Sequence, residues 1–155
     1  MNSPNKKIGY IGLDLSGTGT TAIFDGKNIV SFSAKNWFDH YNFIKNYLSK
    51  KRTSILFFEG LHKIQKQQKT NIDLVHLAYL IGALNIKYKY KLEVTSFMIK
   101  KIGKMIAGNK KNIPNLEYKA KRGFYYNKNK INQHELDAII IYFYGRAKIN
   151  KKYWL

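Results

Sequence analysis

Short apolar runs separated by turn residues open the chain, and this alternation is the pattern of antiparallel strands. Residues 7–15 form the first apolar run, and the serine- and glycine-rich residues 16–20 follow it as a turn. A second run covers Thr21–Phe24, and a third lies near Ile29–Ser33. Between them, Asp25-Gly26 is a strong signal for a two-residue hairpin turn. The pattern therefore predicts three antiparallel strands at the start of the chain.

After these strands the apolar period changes to three or four residues, which indicates amphipathic helices. The first helix has its apolar residues at Trp37, Tyr41, Ile44 and Leu48. Helical spacing returns at Ile72, Val75, Tyr79 and Ala83. A third helix is predicted from about Ser96 to a glycine cap at Gly108. The continuous apolar run 54–58 is typical of a strand buried on both faces, and residues 92–94 are predicted to form one more strand.

Residues 109–130 differ in kind, because they are polar, basic and aromatic without a clear period. We expect a loop there, and a loop or helix entry at the basic stretch Lys63–Lys69. A last helix is predicted from about Asn132, where Asn132-x-x-Glu135 has the form of a capping box. The whole pattern predicts an α/β fold with a five-stranded mixed sheet and helices on both faces, in one domain over residues 1–155.

The charge balance points to a polyanionic partner. The 155 residues include 28 Lys and Arg against 9 Asp and Glu, which is a formal net charge of +19. Self-repulsion on this scale opposes a compact fold unless a polyanion lies against it, and phosphate contacts give sequence-independent affinity for nucleic acid. A generically basic protein, such as a ribosomal component, has the same composition, so charge alone leaves both classes open.

Cysteine chemistry is excluded, because the sequence contains no cysteine. Disulfides, thiolate catalysis and cysteine-based zinc sites are therefore ruled out. The apolar run Ile8–Leu15 is short, is interrupted by glycine and carries Asp14, so it does not have the form of a signal peptide. No segment reaches the roughly 20 apolar residues that a membrane span needs. We expect a cytoplasmic protein without a membrane partner.

Two of the nine acidic residues lie where an ionised carboxylate is costly. Asp14 lies inside the first predicted strand, and Glu59 directly follows the apolar run 54–58. A buried carboxylate is unstable unless it pairs with a cation, binds a metal or takes up a proton. The remaining acids have ordinary explanations, which are a turn for Asp25, a cap for Glu135 and solvated positions for Asp39, Asp73, Glu93 and Glu117.

A third carboxylate, Asp137, begins the apolar face of the last helix, three residues after His134. This spacing puts both side chains on one side of the helix, and a position in the first turn favours the ionised form of Asp137. Taken singly, each acid is also explained by a buried ion pair with one of the many lysines. Three acids at the ends of apolar elements favour a shared cation site.

Oxygen ligands suit Mg²⁺ or Mn²⁺, and two such ions are a standard device for phosphodiester cleavage. The spacing of His134 fits three roles equally, which are a fourth ligand, a proton-transfer group and a solvent-bonded histidine at a helix start. The other histidines have no metal-ligand spacing and are expected at the surface or in a satisfied core; they are His40, His62 and His76.

Three motifs carry a family resemblance. They are Gly12-Leu13-Asp14-Leu15-Ser16-Gly17 on the first strand, Glu59 at the end of the fourth, and His134-Glu135-Leu136-Asp137-Ala138. Together they resemble the RuvC-type Holliday junction resolvases, which have an RNase H-like fold. Each motif alone is weak, but their order and separations cover nearly the whole chain. The size and the heavy use of Lys, Asn and Ile are similar to bacteriophage-encoded members from low-GC Gram-positive hosts.

The resemblance implies a metal-dependent endodeoxyribonuclease that cuts Holliday junctions and other branched DNA. Asp14, Glu59 and Asp137 would be the catalytic metal ligands, with His134 in the fourth position. Two Mg²⁺ ions per site are implied, and Mn²⁺ is an alternative metal. These residues would act together in the hydrolysis of one phosphodiester bond.

The same resemblance implies how DNA is held. Ile99-Lys100 resembles the family's apolar-lysine pair, so Lys100 would contact DNA near the scissile phosphate. The helix around residues 77–83 resembles the family's dimer helix. A homodimer would place two sites on two strands of a four-way junction.

Two departures from the family pattern bear on selectivity. Bacterial members commonly carry a base-stacking aromatic residue three positions after the strand-four glutamate, and here that position is His62. The basic stretch 109–130 has no clean match, so the second family lysine is one of Lys110, Lys111 and Lys119. We therefore expect DNA contacts from these residues but looser selectivity, including cleavage of forks and flaps.

Two other functional classes compete with the nuclease. Residues 11–20 also resemble the first phosphate loop of the actin, Hsp70 and sugar-kinase group, but those proteins need two such domains to enclose ATP. No Gly-Lys-Ser/Thr follows the turn, so no nucleotide cofactor is expected. The non-enzymatic alternative is a basic DNA- or RNA-binding module with structural acids, in which Phe124, Tyr125 and Tyr126 stack on bases or pack under a loop.

Overall fold

The computed structural model describes residues 9–51, 54–61 and 72–151, and within them five strands form one mixed sheet in the order β3-β2-β1-β4-β5. These strands are β1 (Gly9–Asp14), β2 (Thr20–Phe24), β3 (Ile29–Ser33), β4 (Ser54–Glu59) and β5 (Lys91–Val94). The first three strands are antiparallel to one another, whereas β4 is parallel to both β1 and β5. The predicted five-stranded mixed sheet is therefore confirmed.

Helices cover both faces of this sheet. They are α1 (Trp37–Ser49), α2 (Ile72–Lys87), α3 (Ser96–Ala107) and α4 (Gln133–Ile149). Because strand side chains alternate between faces, Ile11 and Leu13 of β1 pack in a core with α1 and α2. The opposite face of the sheet packs in a second core with α3 and α4. The two faces therefore have separate apolar layers.

The last helix lies directly on the backbone of β1. A side chain at Gly12 would overlap the carbonyl oxygen of Ala138 and come within 2.7 Å of the Cβ of Tyr142. One glycine of α4 makes the same kind of approach, because a side chain at Gly145 would overlap the ring of Phe57. These close approaches fix α4 over β1 and β4, with its first turns at the carboxyl ends of the two strands.

Residues 109–130 were expected to form a loop, and this expectation is wrong. They contain a three-stranded antiparallel sheet made of β6 (Leu116–Lys119), β7 (Gly123–Tyr126) and β8 (Asn129–Lys130). Strands of two to four residues are too short to show a period of two. The turn between β7 and β8 is Asn127-Lys128, both at positive φ, which is the geometry that Asn-Gly usually signals.

The helix ends agree with the sequence in part. Asn132 and Glu135 form the predicted capping box at the start of α4. Gly108 does follow α3, but its φ is −88° and the left-handed residue is Asn109 at +55°. Asp137 is the fifth residue of α4, so the expectation of a first-turn position is wrong. None of the helices in the described ranges is long and apolar enough to cross a membrane.

Candidate active site

The carboxyl ends of β1 and β4 bring two predicted site residues side by side. The parallel register pairs Leu13 with Phe58, so the next pair in line is Asp14 and Glu59. Both side chains face α4, because Asp14 lies two residues beyond Gly12 and Glu59 lies two beyond Phe57, and both of these contact α4. The sheet edge therefore presents two adjacent carboxylates to the start of the last helix.

The start of α4 is tied down by the capping box and by the neighbouring sheet. The Asn132 side chain accepts a hydrogen bond from the Glu135 backbone N–H, and the Glu135 carboxylate accepts one from the Asn132 N–H. The other Glu135 oxygen accepts a hydrogen bond from the Ser31 hydroxyl of β3 at 3.1 Å. Glu135 is thus a capping residue, as predicted, and it fixes the part of the helix that carries His134.

His134 contacts the strand-one carboxylate directly. Its Nδ1 lies 2.7 Å from Oδ2 of Asp14, and this hydrogen bond joins residues 120 positions apart. The Asp14 side chain is 11% exposed, whereas the His134 side chain is 49% exposed. The contact therefore connects a buried carboxylate to an imidazole that reaches solvent.

Asp137 lies beside this pair, one turn further along the helix. The side-chain amide of Gln133 donates a hydrogen bond to its Oδ1 at 2.7 Å. Burial raises the pKa of Asp137, while this hydrogen bond and the charges of His134 and Lys100 act in the opposite direction. Sequence reasoning missed Gln133, although its spacing of four residues from Asp137 is the helical signal for such a pair.

Asp14 is the electrostatic centre of the group. Burial raises its pKa to about 7, against the hydrogen bond to His134, and the negative charges of Asp137 and Glu59 raise it further. Burial and like charges both disfavour the ionised form of a carboxylic acid. Three of the predicted residues, Glu59, His134 and Asp137, are therefore close enough to Asp14 to influence its ionisation.

The donor chemistry of this group fits a hard divalent cation, because it consists of carboxylate oxygens and one imidazole. Within the described ranges, however, no three acidic or histidine side chains stand in the arrangement of ligands around one ion. The hydrogen bonds of His134 to Asp14 and of Gln133 to Asp137 engage two of the carboxylates instead. Each of these hydrogen bonds occupies one carboxylate oxygen, and among the described contacts the second oxygen of Asp14 and of Asp137 is left for another partner.

The predicted DNA-contact residues are spread over a larger surface. Lys100 is exposed on α3, and its positive charge acts to lower the pKa of Asp137. Lys110 and Lys111 follow α3, and burial lowers the pKa of Lys111. Lys119 lies on β6, with its Nζ 4.5 Å from the Tyr125 ring centroid. His62 and the stretch 63–69 lie outside the described residues.

The remaining predicted positions are away from the carboxylates. His40 is fully buried, and its Nε2 is hydrogen-bonded to the carbonyl oxygen of Ala34 at 3.2 Å. His76 accepts a hydrogen bond from the Trp37 backbone N–H. The acids expected on solvated faces are all exposed; they are Asp39, Asp73, Glu93 and Glu117.

Comparison with known proteins establishes the fold. No protein-family model matches the chain, and no curated protein sequence is significantly similar to it. Among solved structures, it is similar to T. thermophilus RuvC in complex with a Holliday junction substrate, with a TM-score of 0.57. The match has 12% identity and covers 90% of this chain and 95% of that one. The chain therefore has the mixed α/β fold of RuvC, which is RNase H-like.

Proposed function

We propose that this protein is a metal-dependent endonuclease that cuts four-way junctions and other branched DNA. The observation that carries the proposal is the meeting of Asp14, Glu59, His134 and Asp137 at the carboxyl edge of an RNase H-like sheet. Acids gathered in a chain of net charge +19 are otherwise unexpected, because lysines are plentiful enough to pair each of them. A site that binds cations and then a polyanion accounts for both features.

In this proposal Asp14, Glu59 and Asp137 bind two Mg²⁺ ions, for which Mn²⁺ can substitute. Such a pair of ions would supply activation of the attacking water and stabilisation of the leaving oxygen of the phosphodiester. Burial of Asp14 beside two other acids makes its ionised form costly without a cation, so the residue favours metal uptake. His134 completes the set, as a ligand or as a proton acceptor held in place by Asp14. Loss of metal affinity in His134→Ala distinguishes the ligand role.

Lysines around this group supply the contacts to DNA. In this proposal Lys100, whose charge acts to lower the pKa of Asp137, contacts the phosphate that the carboxylates approach. Lys110, Lys111 and Lys119 extend the positive surface beyond α3 and onto the three-stranded sheet. Each phosphate contact should make binding more dependent on salt.

A second copy of the chain is the proposed protein partner. The core face of α2 is buried through Leu80 and Leu84, but the helix also exposes Ile72, Tyr79 and Ile86 at intervals of seven residues. The space beside Gly82, between the last two, is open. A homodimer would cover this apolar stripe and give two active sites. Replacement of Tyr79 and Ile86 by Glu should convert a dimer to a monomer in sedimentation experiments, and an unchanged mass would contradict this interface.

The decisive experiment is cleavage of an end-labelled four-way junction, with cut positions mapped on all four strands. Wild type is compared with Asp14→Asn, in Mg²⁺ and in EDTA. Asp25→Asn is the matched control, because Asp25 is a carboxylate of similarly low side-chain exposure at the other end of the sheet. We expect symmetric nicks that need both metal and Asp14, and a loss of at least ~10³-fold in the Asp14 variant.

The competing function is a basic nucleic-acid-binding module with structural acids. It predicts tight junction binding that is indifferent to Mg²⁺ and no cutting with any divalent metal. That result would replace the nuclease proposal. Equal cutting of junctions, forks and flaps would support the looser selectivity expected from the sequence, whereas strict junction preference would contradict it.

A further inference from the structure

The exposed face of α3 combines one aromatic ring with a row of lysines. Phe97 is 70% exposed in the first turn of the helix. Lys100, Lys101 and Lys104 are all exposed and follow it by three, four and seven residues. These spacings put the four side chains on one face, because a helix repeats every 3.6 residues. The opposite face carries the core residues Ile99, Ile102 and Ile106.

This face begins at the same edge of the sheet as the carboxylates. Val94 at the end of β5 pairs with Glu59 at the end of β4, and α3 starts two residues later. Phe97 is therefore three residues beyond the strand that borders Glu59. Lys100 lies one turn further along α3, and its charge acts to lower the pKa of Asp137. The row of lysines leads away from the candidate site along the helix.

The side chains on this face of α3 indicate which kind of partner can bind there. A single exposed phenylalanine is ordinary in a folded protein. Here, however, the neighbours of the ring on its own face are ammonium groups, which do not suit an apolar protein surface. A nucleic acid suits both the lysines and the phenyl ring, since the lysines attract its phosphates and one of its bases stacks on the ring. Bases in a continuous duplex are already stacked, so the free ring needs an unpaired base.

We propose that Phe97 stacks on an unpaired base beside the cleaved phosphodiester of branched DNA, while Lys101 and Lys104 hold the phosphates of the same strand. The proposal rests on the proposed function, because it takes the carboxylate group as the cleavage site. It assigns Phe97 as a specificity-determining residue, which distinguishes branched from continuous DNA. Its role is positional, because the ring contacts a base and not the reacting atoms.

The test measures binding in EDTA, so that it does not depend on cleavage. A four-way junction carries 2-aminopurine at the branch point, and a continuous duplex of equal length is the comparison. Wild type, Phe97→Ala and Phe97→Trp are measured beside Tyr90→Ala. Tyr90 is the matched control, because it is an exposed aromatic residue beside a lysine at the opposite end of β5. Thermal unfolding of each variant checks that the fold is retained.

We expect wild type to bind the junction tightly and to quench the fluorescence of 2-aminopurine. Phe97→Ala should lose this quenching and bind the junction roughly tenfold more weakly, while its duplex affinity stays within about twofold of wild type. Phe97→Trp should keep both properties, and Tyr90→Ala should resemble wild type. Equal losses on junction and duplex, or no loss on either, would overturn the proposal. If wild type cuts junctions while Phe97→Ala binds and cuts them normally, the nuclease proposal stands and only the stacking role fails.

The phosphate contacts proposed for Lys101 and Lys104 are tested separately, by the salt dependence of DNA binding. Lys101→Gln and Lys104→Gln should each lower the slope of log affinity against log salt by about one, for junctions and duplexes alike. Lys89→Gln is the control at the far end of β5, beside Tyr90. Slopes that stay unchanged in the two α3 variants would remove the phosphate contacts from the proposal.

Discussion

The two ends of the five-stranded sheet each hold a carboxylate that is almost hidden from solvent, and the two differ in their surroundings. The side chain of Asp14 is 11% exposed and that of Asp25 is 9% exposed. Burial pushes both pKa values up. At Asp25, hydrogen bonds from Lys51, Asn28 and Tyr47 outweigh burial and hold the pKa well below its usual range. At Asp14 burial prevails, and the pKa rises to about 7.

This difference separates a structural carboxylate from a candidate functional one. Asp25 closes the β2–β3 turn through the backbone N–H groups of Lys27 and Asn28, and its other oxygen lies 2.7 Å from Nζ of Lys51. Asp14 has only His134 as a hydrogen-bonding partner among the described contacts, and its other close charges are negative. One carboxylate is satisfied within the fold, whereas among the described residues the other has the His134 imidazole beside it and two further acids nearby.

The largest expected effect is an opposite change in stability when each carboxylate is neutralised. Asp25→Asn should lower the free energy of unfolding by about 1–3 kcal/mol, because Lys51 and Tyr47 lose a charged acceptor. Asp14→Asn should raise it by roughly 1–3 kcal/mol at pH 8 in EDTA, because an ionised buried acid is removed. Urea denaturation measures both. Losses of similar size in the two variants would mean that Asp14 is also a structural partner.

A smaller effect is expected in the pH dependence of wild-type stability. The folded-state pKa of Asp25 is depressed, so its contribution is present above about pH 4 and is lost as the pH falls below that value. The folded-state pKa of Asp14 is raised to about 7, so its ionisation destabilises the fold progressively between about pH 4 and pH 7. Urea midpoints from pH 3 to 8 in EDTA should show a rise in stability with increasing pH up to about pH 4, and a fall between about pH 4 and pH 7. Asp25→Asn should reduce the acidic rise, and Asp14→Asn should reduce the fall toward neutral pH.

The smallest effect is expected for Tyr47→Phe. This change removes the hydroxyl that donates to Asp25 at 2.8 Å, but Lys51 and the turn N–H groups remain. The free energy of unfolding should fall by about 0.5–1.5 kcal/mol, and junction cleavage should be unchanged. A loss of cleavage in this variant would show that the two ends of the sheet are coupled.

Local signals explain how much of the fold was predictable. The strand and helix order followed from apolar periods, and the start of α4 followed from Asn132 and Glu135, which are only three residues apart. The small sheet β6–β8 was missed because its strands are short and its turn uses Lys128 at positive φ in place of glycine. The exposure of Phe97 was also invisible, since an apolar residue beside the buried Ile99 looks like part of the core.

The candidate site shows the same limit. Asp14, Glu59 and Asp137 could be singled out because each lies at the end of an apolar element. The partner of each buried acid could not be predicted, because no local spacing relates His134 to Asp14 or Lys51 to Asp25. Which carboxylate meets a lysine and which meets other acids is decided by strand register and by the seating of α4. Their proposed roles remain predictions for the experiments above.

The hydrogen bond between Asp14 and His134 also has a consequence for synthesis of the protein. Its two residues are 120 positions apart, so a chain still emerging from the ribosome carries the first half of the pair long before the second. Contacts of such long range form late, after shorter loops have closed. A nascent chain can therefore carry its basic segments before the carboxylate group is complete. The proposed cleavage would then require α4 to have docked on β1.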